Sequence, residues 1–209
     1  MTRASRPRAR ARARVLAGPG SPDSAVRIAV AQVAGSRRGQ LLVAAWAFAE
    51  ALSWPLLPEV ILAVLCVAEP KAGPRLAATA ALGSLAGGAT GYLLAAWGIE
   101  LPQPLTTVRM RETVAAEIAA HGPAAVRAQS LNGIPYKVYA AAIGERRAGL
   151  APFIVASARA RCPRILGAGL IMTIAAARTS RHRRFYPAYL LVVIVVAARG
   201  LAAVLASWS

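Results

Sequence analysis

The chain has 209 residues, of which 57% are hydrophobic and 16% charged, and a formal net charge of +17. Its mean hydropathy of +0.50 and the concentration of its apolar residues in long runs argue against a soluble globular domain, which sits nearer about 45–50% apolar, and for a membrane domain of a few helices. The length leaves no room for a second folded domain of ordinary size.

Residues 1–24 are rich in arginine, proline and glycine with one acid, and cannot build a core, so they are expected to be disordered. Ala25–Ala34 is too short, and too interrupted by Arg27 and Gln32, for a signal-peptide core. It is expected to be a short helix on the membrane surface, bounded by Arg37 and Arg38. The division expected is 1–38 as basic tail and surface segment, 39–177 as membrane domain, and 178–209 as basic loop plus a last transmembrane helix.

The first hydrophobic region, residues 40–68, could hold a simple span. Pro55 and Pro58 stand near its middle, with Glu50 and Glu59 beside them. Two prolines three apart remove donors and clash with the preceding turn. A helix–break–helix that enters and leaves on one side is therefore the better reading, and such backbone at depth needs protein or water around it. After a turn at Lys71, Gly73, Pro74 and Arg75, Leu76–Gly98 runs 23 residues without a charge. Gly83, Gly87 and Gly91 recur every fourth residue there, a pattern that lets a second helix approach closely.

Residues 105–122 put Met110, Val114 and Ile118 on one face, as an interfacial amphipathic helix would. His121, before Gly122–Pro123, reads as the helix's C-terminal residue. The second broken region, 124–149, is interrupted at Asn132–Lys137 around Pro135. Residues 150–177 form a further span that carries Arg159, Arg161 and Arg164 and would be kinked at Pro163. After the basic loop Arg178–Arg184, Phe185–Trp208 is the last span, with Tyr186, Tyr189 and Trp208 near its ends as an aromatic belt.

Nine of the 25 basic residues lie in positions 1–38 and four in Arg178–Arg184. Arginine and alanine bias of this kind points to a GC-rich genome, and the clusters suit membrane orientation, so no nucleic-acid partner is expected. Placing both clusters in the cytoplasm puts the N-terminus inside and the two broken regions on opposite sides. The fold class expected is an all-α integral membrane protein: two inverted units, each a re-entrant helix hairpin plus a transmembrane helix, with an additional C-terminal transmembrane helix.

A charge in hydrocarbon costs about 2.5–3.5 kcal/mol on insertion scales. Glu50, Glu59, Lys137, Arg161 and Arg164 must therefore face one another or a wet cavity, and their excess of positive charge suits an anion such as a lipid phosphate. Arg161 and Arg164, three apart, share a helical face. Arg159 and Arg199 are expected to snorkel or to pair structurally. Cys66 and Cys162 read as two buried thiols. No metal-binding spacing or catalytic motif is present, His121 and His182 stand apart, and neither a cofactor nor an enzymatic activity is expected.

Four stretches then resemble the DedA family (the SNARE-associated or VTT domain), and within it the YqaA-like branch. Phe48–Leu62 (FAEALSWPLLPEVIL) resembles the first re-entrant loop, Gly83–Tyr92 (GSLAGGATGY) the glycine-rich span, Ile134–Gly144 (IPYKVYAAAIG) the second re-entrant loop, and Ala156–Arg164 (ASARARCPR) the arginine-bearing helix after it. Ala160 stands where the family has a glycine, and Pro163 follows. The resemblance implies a lipid-handling protein of the inner (plasma) membrane, related to undecaprenyl-phosphate translocation and phospholipid scrambling. It places Glu50, Glu59, Lys137, Arg161 and Arg164 at the family's charged positions, beside Pro58 and Pro135. The expected function is movement of a lipid or lipid phosphate, with proton coupling through a carboxylate. The alternative is a membrane-homeostasis or assembly factor that acts through protein partners, including further copies of itself.

Overall fold

The computed structural model describes residues 24–54, 57–178 and 184–208. The expected disorder of the N-terminal tail, the break at Pro55 and most of the basic loop after Arg178 lie outside the described residues. All regular structure among the described residues is helical.

Local sequence sets the helix starts. Ser24 caps α1 (Ala25–Ala34), its Oγ accepting from the Arg27 amide at 3.3 Å. Ser36 caps α2 (Arg37–Leu52) in the same way through the Gly39 amide. A serine oxygen here satisfies an amide that the first helical turn leaves without a partner. Pro58 opens α3 (Pro58–Ala68) at its first position, where a missing N–H costs nothing. A 3₁₀ turn at Pro70–Ala72 leads into α4 (Gly73–Ala96). Gly73, Pro74 and Arg75 are thus the first turn of that helix, not the turn before it.

Thr107 caps α5 (Val108–His121), which buries the expected face of Met110, Val114 and Ile118. A 3₁₀ stretch, Gly122–Ala128, continues into the one-turn α6 (Gln129–Asn132). The second break follows, and then α7 (Tyr136–Glu145), α8 (Leu150–Arg178) with Pro163 inside it, and α9 (Tyr186–Ser207).

Helices α8 and α9 are both long and apolar enough to cross a membrane. The expected span over Leu76–Gly98 falls on α4, which is not among these two. That helix has the length, but glycine, serine and threonine dilute its leucine and alanine. It is the central post of the bundle, with α2, α7 and α8 packed around it. Gly83 and Gly87 make that possible. A Cβ at Gly83 would stand 2.6 Å from the Ala44 carbonyl oxygen, and one at Gly87 would strike the Phe48 carbonyl, so α2 and α4 touch backbone to backbone. Gly91 has ordinary clearance, and the neighbouring Gly88 receives the Tyr136 ring instead. The glycine face therefore packs helices within one chain.

Helix α1 is fastened to the rest of the bundle. Arg27 is buried and its Nη1 donates to the Ala68 carbonyl at 2.6 Å, tying α1 to the end of α3.

Among the described residues two large apolar clusters form most of the core, with a small third one at Ala31, Ala68 and Tyr186. One of the large clusters gathers Val43, Ala47, Leu62, Cys66, Leu76 and Ile165. The other gathers Met110, Val114, Ile118, Tyr136, Tyr139 and Phe153. Along α2, α4 and α8 the switch between clusters falls at Glu50, Ser84 and Arg161, so the buried polar groups occupy the seam.

Candidate functional site

The seam is built on Arg161, which is 0% exposed. Its Nη2 meets Glu50 Oε2 at 2.5 Å, its Nε donates to Ser84 Oγ at 2.7 Å, and its Nη1 reaches Gln129 Oε1 at 3.5 Å. The guanidinium also lies 4.3 Å over the Tyr136 ring. These partners come from α2, α4, α6 and α7, while Arg161 itself belongs to α8. Burying an ion costs several kcal/mol, recovered only where its charge and donors are matched. Here one carboxylate, two neutral oxygens and an aromatic face, the last worth about 0.5–2 kcal/mol, match them.

One turn along α8, Arg164 pairs with Glu59, Nε to Oε1 at 2.9 Å, both side chains remaining partly exposed. The two groups are close without hydrogen-bond alignment. Neither Glu59 oxygen has a hydrogen-bond partner, nor do Arg164 Nε and Nη2, although these atoms are buried. The contact is a charge pair whose directional capacity is unspent. The two arginines thus share a face, as their spacing requires, yet take different acids. Glu50 ends the limb before the first break, Glu59 starts the limb after it, and α8 holds both.

Lys137 begins the limb after the second break and is 3% exposed. Its Nζ does not pair with Glu59. It donates to two main-chain oxygens, Ser53 at 2.9 Å and Pro104 at 2.8 Å, which leaves one of three ammonium donors free of a described protein partner.

The second break owes its shape to Asn132 and Gly133. Asn132 Oδ1 accepts from the Ile134 amide at 3.0 Å, an Asx turn. Gly133 takes φ +73°, a conformation that costs other residues about 1–2 kcal/mol. Asn132 Nδ2 donates to Tyr139 Oη at 2.6 Å and to Glu117 Oε1 at 3.3 Å, and Tyr139 donates to Glu117 Oε2. This second polar cluster fastens the break to α5.

Two cavities meet at Lys137. One, of about 480 Å³, is polar, with Glu100, Gln103, Arg111, Glu145 and Arg146 in its wall. The other, of about 450 Å³, is mostly apolar; Glu50, Arg164, Gln129 and Pro135 line its inner side, and α9 lines its outer side. Both lie within the range of about 300–1,000 Å³ typical of ligand sites. Among the described residues, Lys137 is the side chain that lines both.

Comparison with family models, curated proteins and solved structures returned no match to this chain.

Of the residues expected from sequence to form the site, Glu50, Pro135, Lys137 and Arg164 line the apolar cavity, and Glu59 and Arg161 stand behind it as the partners of two of them. Pro58 is buried at the start of α3. Gly83 and Gly87 pack α2 against α4. Arg159 and Arg199 are exposed. No group of three metal-ligating side chains occurs among the described residues, and both cysteines are free.

Sequence reasoning missed Ser84, Gln129, Tyr136 and the two carbonyls on Lys137. Tyr136 had a signal, since it lies between Pro135 and Lys137. The carbonyls had none, because any residue carries one.

Proposed function

We propose that the chain is an integral membrane protein that moves an anionic lipid, its headgroup a phosphate or a group of like charge, across the bilayer through the two cavities at Lys137. The observation that carries this reading is the meeting of a polar and an apolar cavity at a single buried cation. An amphipathic anion needs that combination: a wet chamber for the head, a dry one for the chain, and a positive group where they join. Lys137 suits the junction because it is held by neutral carbonyls, so its charge is not cancelled by a carboxylate in direct contact.

In the same reading α8 and α9 span the bilayer, supported by their length and composition. The two breaks then form an inverted pair of re-entrant hairpins, in the manner of the DedA-like proteins that the sequence resembles. Arg164 and Glu59, close but unaligned, are free to exchange partners with a passing headgroup.

The test is reconstitution of purified protein in phosphatidylcholine vesicles, with movement of an added fluorescent lipid phosphate as the readout. Lys137→Met is expected to lower the rate about tenfold or more, equivalent to about 1.4 kcal/mol on the barrier. Lys137→Arg is expected to retain a measurable share. Full activity in a folded Lys137→Met protein would overturn the proposal.

A further inference from the structure

Helix α9 lies outside the stretch that resembles a family, and its attachment to the rest of the chain is unusual. It is fastened near both ends. Tyr186 and Tyr189 donate to the Val64 and Ala63 carbonyls of α3 at 2.7 and 3.0 Å. Trp208 Nε1 donates to the Asn132 carbonyl in the second break at 3.2 Å, with Arg109 over its ring. One end thus holds the first hairpin and the other the second. Between those ends α9 is barely packed; Tyr186 is its one buried residue. The middle of the helix faces the chain across the apolar cavity through Val196, Gly200, Leu201 and Val204. A Cβ at Gly200 would meet nothing within 4 Å, so at this point the cavity runs up to the helix backbone.

The opposite wall carries the charge. Lys137 and Arg164 line the same cavity together with Glu50, whose carboxylate is taken by Arg161 behind it; Arg164 is paired with Glu59, but its Nη2 is buried without a hydrogen-bond partner. A cavity with cationic groups on one wall and aliphatic side chains on the other takes a molecule with an anionic head and a hydrocarbon chain, the chain lying against the aliphatic wall. Leu191 and Val195, turned away from the cavity-lining positions by helical spacing, are exposed, and Val196 at the cavity's edge is exposed as well, which suits a helix between this cavity and lipid.

We propose that α9 is the wall that selects the hydrocarbon part of the ligand, and that Gly200 sets the depth available to it. This rests on the reading of the cavity as a lipid site, but not on transport. Chains that are thick or rigid where they pass position 200 are discriminated against by whatever side chain stands there.

The test uses full-length protein in phosphatidylcholine nanodiscs and a hexadecyl phosphate with a diazirine near the end of its chain. Photolabelling of the wild type is expected to fall on α9 between Val196 and Leu205. Gly200→Phe, which fills empty space, is expected to cut the labelling of this stretch about tenfold, a loss of about 1.4 kcal/mol. Leu191→Phe on the outer face is expected to leave it unchanged. Equal labelling of the outer and inner faces in wild type would overturn the proposal, whether or not Gly200→Phe folds. So would undiminished labelling in a folded Gly200→Phe protein. A disulfide-linked dimer formed through Gly200→Cys would overturn it in favour of a second copy in the groove. Inner-face labelling in a protein that moves no lipid would uphold the role of α9 and remove the translocation reading alone.

Discussion

Arg161 and Arg164 have the same charge, lie on the same helix and are one turn apart, yet their surroundings assign them different work. Arg161 is fully enclosed, with each of its nitrogens engaged by Glu50, Ser84 or Gln129. Removing one member of such a buried pair typically costs about 3–5 kcal/mol, because the remaining charge is stranded. Arg161→Met and Glu50→Gln are therefore each expected to lower the stability of the detergent-solubilised protein by that order. The double variant should cost clearly less than the sum. Additive losses in an unfolding titration would show that the two do not act as a pair. Arg164→Met, in a half-exposed pair with no aligned hydrogen bond, should cost less than about 1 kcal/mol, with its effect on transport instead. This division was only half legible in the sequence. The cost of buried charge marks both arginines as partnered, but helical spacing cannot say which acid each one meets, since the first break cancels any register between Glu50 and Glu59.

Elements show the same split between what local chemistry dictates and what packing decides. The second break and the amphipathic face of α5 follow from proline and apolar spacing and are legible in the sequence, while Ser24, Ser36 and Thr107 set the starts of α1, α2 and α5 as caps. The fate of α4 does not follow from its own composition. A run of 23 uncharged residues reads as a span, and the packing adds that it is the central post of the bundle. The glycine pattern held the clue: close approach on both sides is the property of a helix surrounded by others. Gly88→Leu would drive a side chain into the Tyr136 ring, the ring that faces Arg161. It is expected to reduce stability by about 1–3 kcal/mol, the usual cost of overpacking. Gly91→Ala, where the nearest atoms are 3.6 Å from the added carbon, should be tolerated. Equal midpoints for the two variants in thermal unfolding would contradict this account of the α2–α4–α7 contact.

At the scale of the whole molecule, the two apolar clusters behave as two half-cores joined by a polar seam, and α9 straddles them from outside. The proposed orientation is testable there. With Cys66 and Cys162 replaced, a single cysteine at Arg178, exposed at the end of α8, is expected to react with a membrane-impermeant maleimide only from the cytoplasmic side. One at Gln103, in the wall of the polar cavity, should react only from the other side. Labelling of both positions from one side would remove the inverted arrangement while leaving the cavities intact. Composition leads to the expectation of a membrane chain, and charge distribution to the expectation of an orientation. Neither could announce that the last helix would close a cavity, because that depends on a void, and a void has no residue of its own.

The grip on Lys137 has a consequence of a different kind. Its partners are the peptide oxygens of Ser53 and Pro104, so the contact itself calls for no particular side chain opposite the lysine. Residues 53 and 104 matter to the contact only through the path of the two turns, which the Ser53 hydroxyl ties together at the Pro102 carbonyl. The dependence of the junction on that path would surface in insertions, deletions or prolines that reroute the turns.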